Sequence, residues 1–269
     1  MKRFLLIDGN NQFFLKYPKA MNYQQLVMDC ISLHRGFDAV YWVFDGYDSR
    51  KKRRDIYPEY KNTASRNKNK LDTTKYDMLN TFKREDLPSH GGVYIVEAAQ
   101  IEADDLIRKL ARILANGENY VEIASNDVDL LDTSVLPKVF QPQAKLPAFV
   151  KDGVELITYK SLVGDSSDNI KGCPAFGEKA WESLTQEQRN LISYELKKDY
   201  VDFHHCHTFD LEDKKVARKV KALEDNWETI KMFYKVVNYI DVPDDVLMAN
   251  IRYYASTKTK TTPQLMKMD

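Results

Sequence analysis

Apolar residues follow two different spacings in the first half of the chain. Short runs rich in Val, Ile, Tyr and Phe predict β-strands at residues 4–7, 39–44, 92–96 and 120–124. Helical spacing of apolar residues predicts helices over residues 23–34 and 101–114. Because strands and helices alternate, we predict an α/β fold in which helices flank a mostly parallel central sheet.

The second half of the chain lacks strand-like runs after about residue 158. Its apolar spacing predicts helices at residues 185–200, 212–223 and 226–240. We therefore predict two domains, an α/β domain over residues 1–158 and a helical region over residues 159–269. Residues 50–87 interrupt the α/β alternation with a polar, basic segment whose length is typical of a binding loop, a lid or a disordered segment.

Charge is balanced over the whole chain but not along it. The 269 residues include 40 basic and 40 acidic side chains, so the net charge indicates no particular partner. Between Arg50 and Lys70, however, nine basic residues are accompanied by only two acidic ones, which gives this window a charge of +7. Such a strip can bind phosphate groups, although by itself it is more typical of a solvated or disordered segment.

The sequence shows none of the usual features of membrane or secreted proteins. No stretch is as long and apolar as a membrane span, and the N-terminus lacks the apolar core and cleavage site of a signal peptide. The three cysteines are widely spaced, which argues against a disulfide framework. We therefore predict a cytoplasmic protein that does not bind membranes.

One short cluster has the residue types of a zinc site, namely His204, His205, Cys206 and His207. Adjacent side chains cannot easily all reach one ion, and the sequence has no second ligand cluster. We favour a polar loop between helices at this position over a zinc site.

Carboxylates follow the predicted strands. Asp8, Asp45 and Asp127 lie at or just beyond the ends of three of them. The helix after residues 92–96 opens with three more acids, Glu102, Asp104 and Asp105. Each acid alone is equally typical of a helix cap, a turn or a favourable helix-dipole contact. Because ligands bind outside the carboxyl ends of parallel strands, we expect these acids to lie at the same edge of the sheet.

Mutual repulsion makes such a group of acids a candidate metal site. Two carboxylates about 4 Å apart repel by about 4 kcal/mol at an effective dielectric constant of 20, so the group must take up protons or bind a cation. Oxygen ligands alone favour Mg²⁺, with Mn²⁺ as an alternative. The acids outnumber the ligands that one octahedral ion needs, and two ions suit in-line displacement at a phosphodiester. The candidate metal ligands are Asp8, Asp45, Glu102, Asp104, Asp105, Asp127, Asp129, Asp165 and Asp168.

A glycine-containing segment follows the last two of these acids. In GDSSDNIKGCPAFGEKAW, residues 164–181, Gly172 and Gly177 bracket a tight turn and a helix is predicted to start at Glu178. Backbone N–H groups at such a turn and helix start form a candidate phosphate site.

The motifs LLIDGNN, VFDG, RRDIYPEYK, IEADDL, SNDVDLL and VGDSSDNIKGCPAFGEK occur in this order over residues 3–185. Together they resemble the 5′ nucleases, which comprise flap endonucleases, bacteriophage 5′-to-3′ exonucleases and the 5′-nuclease domain of bacterial DNA polymerase I. The resemblance implies a PIN-like nuclease domain over residues 1–158. It also implies that the insertion at about 50–87 is the family's arch, and that residues 160–185 form a helix-hairpin-helix variant.

The resemblance also implies roles for individual residues. The nine acids hold two Mg²⁺ ions, Lys61 and Arg53 act in catalysis at the scissile phosphate, and Tyr60 stacks on an unpaired base. K⁺ assists phosphate binding at the hairpin. The implied DNA contacts are Arg54, Tyr60, Arg66, Lys68, Lys171, Gly172, Gly177 and Lys179. The chain departs from the family pattern in having Ala64 where an Arg is frequent and Ala175 where a third hairpin Gly is common.

We expect a monomeric, Mg²⁺-dependent 5′ nuclease that cuts DNA at a 5′ flap, a nick or a free 5′ end, in primer or flap removal during replication or repair. An RNA primer is a further candidate substrate. Two alternatives remain open, a non-catalytic protein that binds branched DNA and a PIN-type ribonuclease. A haloacid-dehalogenase phosphatase is disfavoured because its motif requires an acid where Asn10 stands.

Overall fold

The computed structural model describes residues 1–63, 73–198 and 208–255. These residues form two compact units. The sheet unit contains the described parts of Met1–Lys52, Asn69–Lys145 and Ile240–Asp269, and the helical unit those of Arg53–Lys68 and Leu146–Tyr239. The two units therefore do not divide at residue 158 as the predicted domains do. The nuclease and DNA-binding roles assigned to those domains remain predictions.

Six strands form one sheet within the described residues. They are β1 (Arg3–Asp8), β2 (Ala39–Val43), β3 (Val93–Val96), β4 (Tyr120–Ala124), β5 (Val139–Phe140) and β6 (Ile251–Tyr254). Their order across the sheet is β5-β4-β1-β2-β3-β6, and only β6 pairs in the antiparallel direction. The predicted α/β fold with a mostly parallel sheet flanked by helices is confirmed.

Most helices are short. In chain order they are α1 (Gly9–Lys16), α2 (Tyr23–Ile31), α3 (Lys51–Ile56), α4 (Thr74–Thr81), α5 (Leu87–His90), α6 (Ala103–Leu114), α7 (Gly153–Val163), α8 (Glu178–Glu182), α9 (Gln186–Leu196), α10 (Lys214–Asp225), α11 (Trp227–Val237) and α12 (Asp244–Ala249). A π-helical turn, Phe82–Asp86, joins α4 to α5, and a 3-10 helix, Val128–Val135, precedes β5.

Both faces of the central strand β1 are buried. Leu5 and Ile7 pack in one apolar cluster, and Phe4 and Leu6 pack in another on the opposite face. This two-sided burial explains the continuous apolar run in the sequence, which is typical of a parallel strand covered by helices. Helix α6 covers the second face with the predicted stripe that includes Leu106.

The expectation that strands end before residue 158 is wrong for β6. This strand pairs with β3 through the contacts Ile95↔Arg252 and Val96↔Ile251. The strand has only four residues, of which Ile251 is buried and Arg252 is exposed. An alternation over so few residues cannot be distinguished from a loop in the sequence.

The helical unit has its own core, in which Trp181, Ile192, Leu223 and Ile230 are buried. Helices α9, α10 and α11 confirm the three predicted helices with boundaries shifted by a few residues. The cluster His204, His205, Cys206 and His207 lies outside the described residues, as do the predicted DNA contacts Arg66 and Lys68. In the part of the chain that is described, no helix combines the length and the apolar character needed to cross a bilayer.

Candidate active site

Asp8 lies at the carboxyl edge of the sheet and is connected to the residues that follow β4. It is the last residue of β1 and is 6% exposed. One carboxylate oxygen accepts from the Asn11 backbone N–H at 3.0 Å, and the other accepts from the Ser125 hydroxyl at 3.0 Å. Ser125 Oγ in turn accepts from the Asp127 N–H at 3.1 Å. This chain of contacts joins the ends of β1 and β4, as parallel pairing of the two strands allows.

Asp45 connects the end of β2 to the start of α6. Its two carboxylate oxygens accept from the Ala103 backbone N–H at 2.9 Å and from the Asn10 side-chain amide at 3.2 Å. Asp45 therefore satisfies an N–H group in the first turn of α6. Glu102 occupies the N-cap position of the same helix and is 4% exposed.

The remaining acids of α6 have different surroundings. Asp105 is buried and accepts a hydrogen bond from the Ile240 N–H at 2.8 Å, whereas Asp104 is only half-buried. Carboxylates in a first helical turn interact favourably with the helix dipole.

Electrostatics indicate that the strand-end acids are close enough to interact. Burial, together with the Asp45 and Asp127 carboxylates, raises the pKa of Asp8 to about 7 in spite of the hydrogen bonds that Asp8 accepts. A divalent cation at this edge would favour the ionised form of all three side chains. The residues present therefore fit a hard metal ion by both charge and ligand type.

Asp129 lies on the 3-10 helix that follows Asp127. Its N–H donates to a carboxylate oxygen of Asp127 at 3.0 Å, and its carbonyl accepts from the buried Arg108 guanidinium. Arg108 also donates to Asp132 at 2.9 Å. Arg108, Asp132 and Ser125 belong to this region although no motif in the sequence marks them. The one feature of the sequence that could have indicated Arg108 is its charge, since it lies among the apolar residues of α6.

In the helical unit, Asp165 and Asp168 lie in the loop after α7. Asp165 is 2.6 Å from the Lys160 ammonium and accepts hydrogen bonds from the N–H and the hydroxyl of Ser167. Burial acts to raise the pKa of Asp165, but Lys160 and Ser167 outweigh it and keep the pKa below its ordinary value. Asp165 is thus held in its ionised form.

Lys61 lies beside Asp168. Its ammonium is 3.8 Å from an Asp168 carboxylate oxygen, and its backbone N–H donates to the Asp168 carbonyl at 2.9 Å. Lys61 has a φ of 54°, in the left-handed region that non-glycine residues seldom adopt. A further hydrogen bond from the Asn169 amide to the Glu59 carbonyl holds the same two loops together. The predicted catalytic lysine is therefore fixed in position next to a candidate metal ligand.

Tyr60 and Arg53 have surroundings that differ from those predicted. Tyr60 is 3% exposed and packs against Ile170 and Phe233, so its ring is not available to stack on a base in this structure. Arg53 is 4% exposed, and its guanidinium donates to the carbonyls of Val236 and Asn238 at the end of α11. The positive charge of Arg53 thus lies at the C-terminus of α11, where a cation interacts favourably with the helix dipole. The Arg53 guanidinium also lies 5.9 Å from the centre of the Tyr60 ring, so the two buried side chains are neighbours.

Arg54 has a contact of its own within the same loop. Its Nε donates to the Tyr60 carbonyl at 3.3 Å, and its side chain is half-buried. This bond joins α3 to the residue that precedes Lys61.

The loop between α7 and α8 turns tightly at Gly172. This residue has a φ of 71°, and a Cβ added there would lie 2.6 Å from the Leu162 carbonyl oxygen. Gly177 differs, since a Cβ there would meet nothing within 4 Å. Ala175 adopts a φ of 60°, so it takes the left-handed conformation that a glycine would favour. Lys171 and Lys179 are both exposed at this turn.

Comparison with known proteins identifies the family. The sequence profile of the 5′-3′ exonuclease N-terminal resolvase-like domain matches residues 3–145, which is more than half of the chain. The chain belongs to the 5′-3′ exonuclease family. It is accordingly an enzyme that hydrolyses phosphodiester bonds, as the sequence motifs predicted.

Relatives of this 5′-3′ exonuclease occur in several bacteria. The 5′-3′ exonuclease of Mycoplasma pneumoniae is 28% identical over 219 residues, which span 70% of this chain and 72% of that protein. The 5′-3′ exonuclease of Buchnera aphidicola subsp. Baizongia pistaciae is 25% identical over 271 residues, which span 85% and 81% of the two chains. DNA polymerase I of Streptococcus pneumoniae is 28% identical over 223 residues, but the match covers only 24% of that polymerase.

Solved structures share the fold of this exonuclease. Bacteriophage T5 5′-exonuclease with bound zinc ions has a TM-score of 0.65 and 19% identity, with 88% of this chain and 89% of that chain covered. A variant T5 flap endonuclease in a complex with DNA and metal ions has a TM-score of 0.63 and 18% identity over the same shares of the two chains. At these identities the comparison establishes the fold alone.

Proposed function

We propose that this exonuclease is a structure-selective, Mg²⁺-dependent 5′ nuclease that cuts DNA at 5′ flaps, nicks and free 5′ ends. The main support is the interaction of Asp8 with the Asp45 and Asp127 carboxylates at the carboxyl edge of the sheet, in a chain of the 5′-3′ exonuclease family. Primer or flap removal during replication or repair is the corresponding cellular role, with the protein acting as a monomer. An RNA primer belongs to the same proposed substrate range.

Two Mg²⁺ ions are the proposed cofactors, with Mn²⁺ as a substitute. In the sheet unit, the proposed ligands are Asp8, Asp45, Glu102, Asp104, Asp105, Asp127 and Asp129. In the helical unit, they are Asp165 and Asp168. When bound, the ions supply positive charge at the phosphate oxygens and make water more acidic. The T5 structures that contain divalent ions support this assignment.

The residues of the chain prepare this site before any ion binds. Asn11 and Ser125 orient both oxygens of Asp8, and the Ala103 N–H and Asn10 orient those of Asp45. Fixed orientation reduces the rearrangement that ion binding requires. Proton loss from Asp8 accompanies binding because a metal ligand must be ionised.

Lys61 is the proposed phosphate contact in catalysis. An ammonium next to acidic ligands can hold a phosphate oxygen and stabilise the negative charge that develops on it. Because Arg53 donates to backbone carbonyls, we propose that it acts on catalysis by supporting the Lys61 loop rather than by touching the phosphate.

DNA binding is proposed for the segment from α7 to α8, as a helix-hairpin-helix variant, and for the arch at residues 50–87. Gly172 makes the tight turn, and Gly177, Lys171, Lys179 and Arg54 are the proposed contacts, with K⁺ as a further ion at the turn. The T5 flap endonuclease in complex with DNA supports a DNA substrate.

Cleavage of a labelled DNA 5′ flap with and without Mg²⁺ tests the proposal. We expect cleavage only with the metal, and loss of cleavage but retained flap binding in Asp127→Asn/Asp129→Asn. Asp245→Asn, at an exposed position on α12, is the matched control and should cleave normally. Equal behaviour of the double variant and the wild type would favour a non-catalytic binder. Preferential cleavage of a matched RNA flap would favour a ribonuclease.

A further inference from the structure

A polar cavity lies on one face of the sheet unit, at the edge formed by β6. Its volume is about 340 Å³, within the range of small-molecule sites of about 300–1,000 Å³. The lining residues come from the π-helical turn and from the ends of β3 and β6, and are Lys83, Arg84, Ile95, Glu97, Asn250, Arg252 and Tyr254. None of them is a candidate metal ligand.

The pairing of β3 with β6 explains how the cavity forms. Arg252 lies opposite Ile95, and Tyr254 lies opposite Val93. Residues paired in this way project from the same face of a sheet, here the face on which Val93 and Ile95 pack. Because β6 is the edge strand of the sheet, its Arg252 is exposed on this face, beside the apolar cluster against which Tyr254 packs.

The charges around the cavity do not balance. Three basic side chains and one acidic side chain line it, so the net charge is +2. Lys83 is paired with Glu97 at 2.8 Å. Within the described part of the chain, neither Arg84 nor Arg252 forms an ion pair, and both are exposed. Three cations around one cavity repel one another, and an anion would relieve that repulsion.

The backbone that presents two of these cations is unusual. Lys83 and Arg84 lie in the π-helical turn Phe82–Asp86. Segments of π-helix are rare, and they occur frequently at functional sites because they displace side chains from regular helical positions. The Lys83 ammonium also lies 5.5 Å from the centre of the Phe44 ring, which limits its range of motion.

We propose that this cavity is a phosphate-binding site, which takes a phosphate group from either a free mononucleotide or a nucleic acid strand. Guanidinium groups bind phosphate through two parallel hydrogen bonds, and Arg84 with Arg252 offers two such groups. The partly buried Tyr254 ring provides an apolar wall for a sugar or base. The site does not depend on the proposed nuclease mechanism, since it uses none of its acids.

Isothermal titration calorimetry with inorganic phosphate and with dTMP tests the proposal. The full-length protein is used in EDTA, because without metal the carboxylates of the candidate active site repel phosphate. We expect binding of both ligands to the wild type and at least tenfold weaker binding to Arg84→Gln/Arg252→Gln. Arg252→Lys keeps the charge but not the two parallel hydrogen bonds, so it should bind less tightly than the wild type and more tightly than the double variant, and Arg35→Gln, an exposed arginine on the sheet unit, should retain the full affinity.

A variant that should bind phosphate more tightly than the wild type complements the arginine variants, which should bind it less tightly. Glu97→Gln removes the one carboxylate that lines the cavity, so phosphate and dTMP should bind several-fold more tightly. Displacement of dTMP by an oligonucleotide would identify the strand as the phosphate source, and failure to displace it would identify the free nucleotide. Absence of phosphate binding, unchanged binding in the double arginine variant, or weaker binding in Glu97→Gln would overturn the proposal. Thermal unfolding of each variant verifies that it is folded.

Discussion

Arg108 and Asp132 form a buried ion pair, with the Arg108 Nε 2.9 Å from an Asp132 carboxylate oxygen. Their exposures are 2% and 5%. The same guanidinium donates to the Asp129 carbonyl and lies 3.8 Å from an Asp105 carboxylate oxygen. One buried cation therefore connects helix α6, which carries the candidate metal ligand Asp105, to the 3-10 segment that carries Asp129.

Removing only one partner of this pair should destabilise the protein strongly. In Arg108→Met, Asp132 loses its nearest cation while remaining buried, and such a loss typically costs about 3–5 kcal/mol. Arg108→Met/Asp132→Leu should recover part of that cost, because Asp132 then no longer remains as a buried charge, whereas Asp105 still loses the guanidinium 3.8 Å away. Urea unfolding at equilibrium measures the free energy of unfolding of the wild type, of each single variant and of the double variant. Strictly additive effects of the two substitutions would contradict the coupling.

The two glycines of the turn before α8 should respond differently to alanine. Gly172→Ala places a Cβ 2.6 Å from a carbonyl oxygen at a φ of 71°, so we expect a loss of about 2 kcal/mol or more. Gly177→Ala meets no neighbour and should cost less than about 1 kcal/mol, as expected for an N-cap glycine. Chemical denaturation of the two variants under the same conditions compares them. Equal losses would mean that crowding at Gly172 is relieved by loop movement.

The sequence predicted the sheet well because burial on both faces makes β1 and β2 apolar over most of their length. It predicted the strand-end acids for a related reason, since chain direction alone brings the ends of parallel strands to one edge. It failed for β6, where four residues give too little periodicity. It could not predict the surroundings of Arg53, which contacts a carbonyl 183 residues away in the chain. Nothing near Arg53 in sequence distinguishes it from its half-buried basic neighbours.

His34 should make stability depend on pH. Burial and the nearby His90 lower the pKa of His34 to about 4, and its Nε2 accepts a hydrogen bond from the Trp42 indole at 2.8 Å. Between about pH 4 and 6.5 the unfolded chain therefore binds a proton that the folded protein does not. This contribution to stability is complete above pH 6.5 and decreases as the pH falls towards 4, by at most about 1.4 kcal/mol per unit.

His34→Gln isolates this contribution, because its amide oxygen can accept from Trp42 but does not titrate. Urea unfolding of both proteins between pH 4.5 and 7.5, values chosen to bracket the interval of about 4 to 6.5, gives a difference in slope that belongs to His34. The comparison also removes the opposite contribution of Asp8, whose raised pKa makes the folded state less stable as the pH rises towards 7. Identical slopes for the two proteins would show that His34 is not protected from protonation.

Substitutions at Lys61 should separate its charge from its backbone conformation. Both Lys61→Ala and Lys61→Gly remove the ammonium beside Asp168, so each should lower the rate of flap cleavage by about 100- to 1,000-fold. At a φ of 54° glycine is unstrained, and Lys61→Gly should be up to about 1 kcal/mol more stable than Lys61→Ala. Lys61→Arg keeps the charge and should retain part of the activity. Single-turnover cleavage and urea unfolding supply the two measurements. Normal cleavage by Lys61→Ala would exclude Lys61 from the reaction, whatever the stability values show.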